Sequence, residues 1–173
     1  MELTERTIQN AIYSSQLSGM KIMVPNYTPE RWFECGVFGV TNAGYFMEFE
    51  IKLTRSDFAK DRYKRASGPV RSREDRHFWE PCDGRTKHCR IEAGDIDGPA
   101  RFYYVYPFDM FADDGAVPPW AGIIHVHDAS NYLELKIKRS APKIHGEKVL
   151  GGIIYHARSV CYYRYWNERS RPK

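Results

Sequence analysis

From Gly44 to Leu53 hydrophobic and polar side chains alternate. Tyr45, Met47, Phe49, Ile51 and Leu53 take one side; Phe46, Glu48, Glu50 and Lys52 take the other. A period of two predicts a β-strand. Lys21–Val24, ended by Pro25, Cys35–Thr41, Arg101–Pro107, Ala121–His127 and Tyr132–Lys138 predict further strands. Three segments predict helices. Thr4 is an N-cap candidate before Ile8, Ala11 and Ile12, and Ser18-Gly19 closes that segment. Thr54 caps a second, with Asp57 three residues on. Val149, Leu150, Ile153, Ile154, Ala157, Val160 and Cys161 recur at helical spacing between Gly146 and Trp166. Residues 61–100 are polar and contain Pro69, Pro81 and Pro99. They read as an insertion with little regular structure, a mobile or ligand-covering loop. The order of elements predicts one mixed α/β domain over residues 1–173, built around a single sheet.

Asn42-Ala43-Gly44 fits a three-residue hairpin loop with glycine at the left-handed position. That loop pairs Thr41 with Tyr45, Gly36 with Glu50, and Glu34 with Lys52. Cross-strand partners share a face, so Glu34, Gly36, Glu50 and Lys52 are expected to form one patch. Two readings of it stand side by side. One is a solvated sheet face with weak Glu–Lys pairs, each worth under about 1 kcal/mol. The other is a phosphodiester site in which a carboxylate holds Mg²⁺ or Mn²⁺ and the adjacent ammonium steadies the attacked phosphate.

Composition narrows the class without choosing between these. The chain has 173 residues, 42% apolar, 28% charged and 14% aromatic, with a net charge of +4 and pI near 8.8. It is read as a globular protein whose charge permits an anionic partner. The N-terminus lacks the apolar core of a signal peptide, and no stretch approaches the roughly 20 apolar residues of a membrane span. A cytoplasmic protein is expected. Cys35, Cys82, Cys89 and Cys161 have no repeating spacing, so reduced thiols are expected.

Glu50-Ile51-Lys52 is an E-x-K triplet, and the run ECGVFGVTNAGYFMEFEIKLTRSDF surrounds it with an acidic strand, a short turn and a T-R-S-D-F segment. In these residues the chain resembles the PD-(D/E)XK nuclease superfamily, and in particular its MmcB-type bacterial and phage DNA-repair branch. GPARFYYVYP, VPPWAGIIHVH and RSAPKIH are similar to that branch too, so the resemblance spans roughly Glu5 to His145. It implies a restriction-endonuclease-like fold and metal-dependent hydrolysis of DNA, in repair or in phage–host conflict. Glu50 and the Ile51 carbonyl would ligate Mg²⁺ or Mn²⁺, and Lys52 would be the catalytic ammonium. The remaining ligand would be an Asp at position 36, where this chain has Gly36. Three readings follow: an active nuclease carrying a lesion or engineered knockout at Gly36, replacement of the Asp by Glu34, or lost catalysis with binding retained. The last is a module that holds nucleic acid or a host protein.

Arg55, Lys60, Arg62, Lys64 and Arg65 open a basic window that reaches Arg76 and includes Phe58 and Tyr63. It reads as a nucleic-acid surface or as a solvated loop. Arg55 is also a candidate partner of Asp57. His77, Cys82, His88 and Cys89 have zinc-ligand chemistry without the usual C-x₂-C spacing. His125 and His127 share a strand face, as a metal pair or as ordinary sheet histidines. Tyr162–Lys173 mixes Tyr, Trp and Arg, and reads as the end of a core helix or as a second nucleic-acid surface.

Overall fold

The computed structural model describes residues 2–15, 19–64, 86–111 and 113–169, apart from the side chains of Trp166 and Arg169. α1 (Glu5–Ser14) begins with reciprocal caps. Thr4 Oγ1 accepts the Thr7 N–H at 3.2 Å, and Thr7 Oγ1 accepts the Thr4 N–H at 2.9 Å. Its apolar stripe buries Ile8 and Ile12 completely, each stabilising by about 1.5–3 kcal/mol.

Six strands form one sheet in chain order: β1 (Met20–Tyr27), β2 (Cys35–Thr41), β3 (Phe46–Ile51), β4 (Arg101–Pro107), β5 (Ala121–Asp128) and β6 (Leu133–Arg139). β1, β2 and β3 form an antiparallel meander. β3, β4 and β5 run parallel, and β6 returns antiparallel to β5. The hairpin register is the expected one: Val37 pairs with Phe49 and Val40 with Phe46. The Thr41 N–H donates to Tyr45 O, and Gly44 has φ +90°.

Both faces of the sheet are covered by helices. α1 packs on Val37, Phe49, Ile51, Tyr103, Val105 and Ile124. The other face carries Phe38, Phe46, Phe102, Tyr104 and Ile123, and receives Phe58 of α2 (Arg55–Asp61), Ile91 of α3 (Lys87–Glu92) and Ala157 of α4 (Gly151–Arg169). The chain is therefore a single α/β domain with a central mixed sheet. Among the described residues no helix is long and apolar enough to cross a membrane. The cysteines described, Cys35, Cys89 and Cys161, are free thiols.

Three boundaries depart from expectation. Pro25 does not end β1, because this is an edge strand where a missing N–H is tolerated. The strand continues to Tyr27, and Arg164 of α4 donates to the carbonyls of Pro25 and Asn26. The last helix starts at Gly151 rather than near 146, and extends to Arg169. The span 61–100, expected to hold little regular structure, contains α3. Its buried residues are Lys87, Arg90 and Ile91.

Candidate functional site

The period of two along β3 sends Glu48 and Glu50 to the face opposite Phe49 and Ile51. The Lys52 N–H donates to Val105 O at 2.9 Å, which extends the pairing one residue and keeps Lys52 on the Glu50 side. This group is buried: Glu48, Glu50 and Lys52 are at most 4% exposed. A solvated sheet face is ruled out. Charges this deep persist only when paired, and the partners come from two later segments.

α2 starts at Thr54, whose Oγ1 accepts the Asp57 N–H, and places Asp61 at its end. Asp61 Oδ1 lies 3.1 Å from Lys52 Nζ and 3.2 Å from Lys64 Nζ. Glu50 Oε1 lies 2.8 Å from Lys52 Nζ and 2.6 Å from Lys64 Nζ. Two carboxylate oxygens thus converge on the same two ammoniums. α3 delivers Lys87, fully buried, to Glu50 Oε2 at 2.9 Å and to Glu48 Oε1. Trp32 Nε1 donates to Glu48 Oε2 at 2.8 Å. The other oxygen of Asp61, Oδ2, accepts the Tyr104 hydroxyl at 2.6 Å, and His88 Nε2 lies 2.7 Å from that hydroxyl. Asp61 Oδ1 makes no hydrogen bond despite its burial.

The electrostatics follow from this geometry. Burial pushes Glu48 up to about 7, because Lys87 only partly offsets the lost hydration. Burial acts the same way on Glu50, but Lys87, Lys52 and Lys64 outweigh it and hold Glu50 below the ordinary carboxylate value. Asp61 is likewise buried. His88, the lysines and Tyr104 outweigh burial, and hold it well below its ordinary value. Burial alone would lower Lys87; Glu48, Glu50 and Asp61 instead raise it. At the rim, burial and the charges of Glu50, Glu34 and Asp57 raise Glu5.

Of the residues singled out from the sequence, Glu50 and Lys52 come together, and Ile51 sits between them with its side chain in the opposite layer. Gly36 does not provide an empty acidic position. A Cβ there would lie 2.8 Å from Phe49 O and 3.1 Å from Ile51 N, against backbone. Close strand approach is the physical reason for glycine at this position. Glu34 is exposed. Arg55 does not pair with Asp57; its Nε donates to Met110 O and its guanidinium lies 6.0 Å from the Phe111 ring centre. Lys60 on the last turn of α2 and Arg62 at its C-cap are exposed, and Lys64 has turned inward. Arg65, His77 and Cys82 lie outside the described residues. His88 faces Tyr104, and Cys89 is exposed. His125 contacts Asp114 at 3.2 Å, and His127 stacks on Phe108. Among the described residues no three His, Cys, Asp or Glu side chains converge as metal ligands. Tyr162, Tyr163 and Tyr165 are exposed on α4.

Sequence reasoning missed Asp61, Lys87 and Tyr104. Asp57, Asp61 and Lys64 recur at helical spacing, a signal open to a search for charge periodicity. Lys87 sends no such signal, because α3 buries lysine and arginine where a periodicity search looks for hydrocarbon.

No family model matches the chain, and no curated protein matches it. Among solved structures the chain is similar to a protein of unknown function from Silicibacter pomeroyi, with a TM-score of 0.60 and 17% identity over 98% of this chain and 94% of that one. At that identity the likeness is one of fold.

Proposed function

We propose that this chain acts on DNA phosphodiesters at the carboxyl end of β3, as a metal-dependent nuclease of the restriction-endonuclease-like kind. The observation that carries the reading is the convergence of Glu50, Lys52 and Asp61 on one face at the end of that strand. In open sheets with parallel strands, ligands enter beyond the strands' carboxyl ends. The order of strand, three-residue turn, E-x-E-x-K strand and T-R-S-D-F helix also matches the order on which the resemblance rests. The donors suit a hard divalent ion, being buried carboxylate oxygens already facing positive charge. Such an ion, when bound, would polarise a phosphate oxygen and acidify a water. Lys52 would neutralise charge on the phosphate from a site that excludes water. Lys60 and Arg62, with exposed Tyr63 beside them, would hold the flanking backbone.

The test is incubation of single- and double-stranded DNA with Mg²⁺ or Mn²⁺, using wild type, Glu50→Gln and Lys52→Met, each checked for folding by circular dichroism. Wild-type cleavage falling by about 10²-fold or more in both variants is expected. Cleavage unaffected by either change, or none by the wild type, overturns the reading. A second reading, a non-catalytic nucleic-acid binder, is favoured by one observation: ammoniums occupy both oxygens of Glu50. Salt-dependent DNA retention without cutting would select it.

A further inference from the structure

We propose that Glu50 and Asp61 together form a divalent-cation site, and that the Lys64 ammonium is the plug the cation displaces. The inference rests on the nuclease reading for the identity of the ion, Mg²⁺ or Mn²⁺, and on geometry for the site. Lys64 Nζ bridges Glu50 Oε1 at 2.6 Å and Asp61 Oδ1 at 3.2 Å. A positive charge between two carboxylates is what a metal ion would replace. Asp61 is completely buried, and its Oδ1 makes no well-directed hydrogen bond, meeting only the Lys52 and Lys64 ammoniums at 3.1 and 3.2 Å. Its other oxygen is held by Tyr104, so the orientation of Oδ1 is set before any ion arrives. Asp61 therefore supplies, from α2, a second carboxylate where position 36 has none.

Among the described residues three lysines touch the carboxylates, and of these Lys64 is the one placed to leave. Its side chain is 41% exposed, against 2% for Lys52 and 0% for Lys87. The charges also allow the exchange. Among the described residues Glu48, Glu50 and Asp61 face Lys52, Lys64 and Lys87. Replacing the Lys64 ammonium by a dication adds one positive charge. Half-exposed Asp57, 3.8 Å from Lys52, and Glu5 at the rim are placed to offset it. Two carboxylates are few ligands for Ca²⁺ or Zn²⁺. They match Mg²⁺ or Mn²⁺, which keep several waters and take further oxygens from a phosphate.

The experiment is Mn²⁺ titration of the full chain by electron paramagnetic resonance, together with Mg²⁺ titration followed by NMR at the lysine Cε and Nζ positions. Lys64→Met should bind Mn²⁺ on the order of tenfold more tightly than wild type, because a competitor for the same oxygens is gone. Adding Asp61→Asn to that variant should remove most of the gain. In the wild type, Mg²⁺ should shift the Lys64 resonances and leave those of Lys87 nearly in place. This arm needs no substitution, so a misfolded variant does not spare the proposal. Lys64 resonances unmoved at saturating Mg²⁺, or Mn²⁺ affinity indifferent to Lys64→Met, overturns it. Failure of the nuclease reading looks different: Mn²⁺ held through Glu50 and Asp61 with no DNA cut. Metal-dependent cutting that ignores Asp61 would instead retire this site and leave the nuclease reading standing.

Discussion

The two faces of β3 are both buried, yet by opposite means. Towards α1, Phe49 and Ile51 meet Val37, Tyr103 and Val105, and Phe49 stacks on Tyr103 with ring centres 5.6 Å apart. On the other side Glu48 and Glu50 meet Lys87, Lys52 and Lys64. The hydrocarbon face is stabilised by area removed from water, and tolerates any close-packed filling. The charged face depends on specific counter-charges brought from α2 and α3, and has no value without them. A protein that needed only a core would not build the second kind of face. This contrast is the main reason to look for chemistry there.

The contrast is testable by removing one group from each face. Lys87→Met strands Glu48 in a dry site, takes one of three ammoniums from Glu50, and should cost about 3–5 kcal/mol, read by urea unfolding. Phe49→Ala should cost a similar amount, about 3–5 kcal/mol, by leaving a cavity. Only the lysine variant should recover on adding Glu48→Gln, because only there is the cost one of unpaired charge. No recovery in that double variant would erase the distinction between the faces.

Gly36→Asp sharpens the comparison at the strand that borders both faces. Its Cβ meets the backbone of β3, so a loss of about 1–3 kcal/mol is expected, with no gain in Mn²⁺ affinity. A stable Gly36→Asp protein that binds Mn²⁺ more tightly would return the second ligand to position 36.

The smallest effect is one of pH. Glu48 is raised by burial from 4.5 to about 7. Its contribution to stability is complete below about pH 4.5 and is lost as pH rises through about 7. Glu50 and Asp61 are lowered and act oppositely, losing their contribution as pH falls. Glu48→Gln keeps the uncharged form at every pH. Its melting temperature should therefore gain on the wild type between pH 5 and pH 8, by the equivalent of on the order of 1–2 kcal/mol. A difference constant with pH would mean that Glu48 titrates as a solvated carboxylate.

Much of the fold was legible because local signals agreed with it. Thr4 and Thr54 cap as expected, Gly44 turns the hairpin, and the alternation of β3 predicts both faces correctly. The site was half legible. Glu50 and Lys52 share a strand, so their juxtaposition follows from a period of two. Lys87 lies 37 residues from Glu50 and reaches it only through the tertiary fold. Pro25 misled because its cost depends on whether a strand lies at the edge, which the sequence does not show. Gly36 suggested a missing side chain, and the sequence does not show that a Cβ there would crowd the Phe49 carbonyl at 2.8 Å. No signal at the residue itself separates those cases.

The pairing of Arg164 with the carbonyls of Pro25 and Asn26 has a consequence for assembly. Along that stretch the outer rim of β1 offers an incoming chain one N–H fewer, and two acceptors already engaged by a guanidinium. A second molecule extending the sheet at Pro25 and Asn26 would have to displace the Arg164 guanidinium of the C-terminal helix. Strand addition at this end of the rim would have to compete with Arg164, a competition that Arg164→Ala would remove.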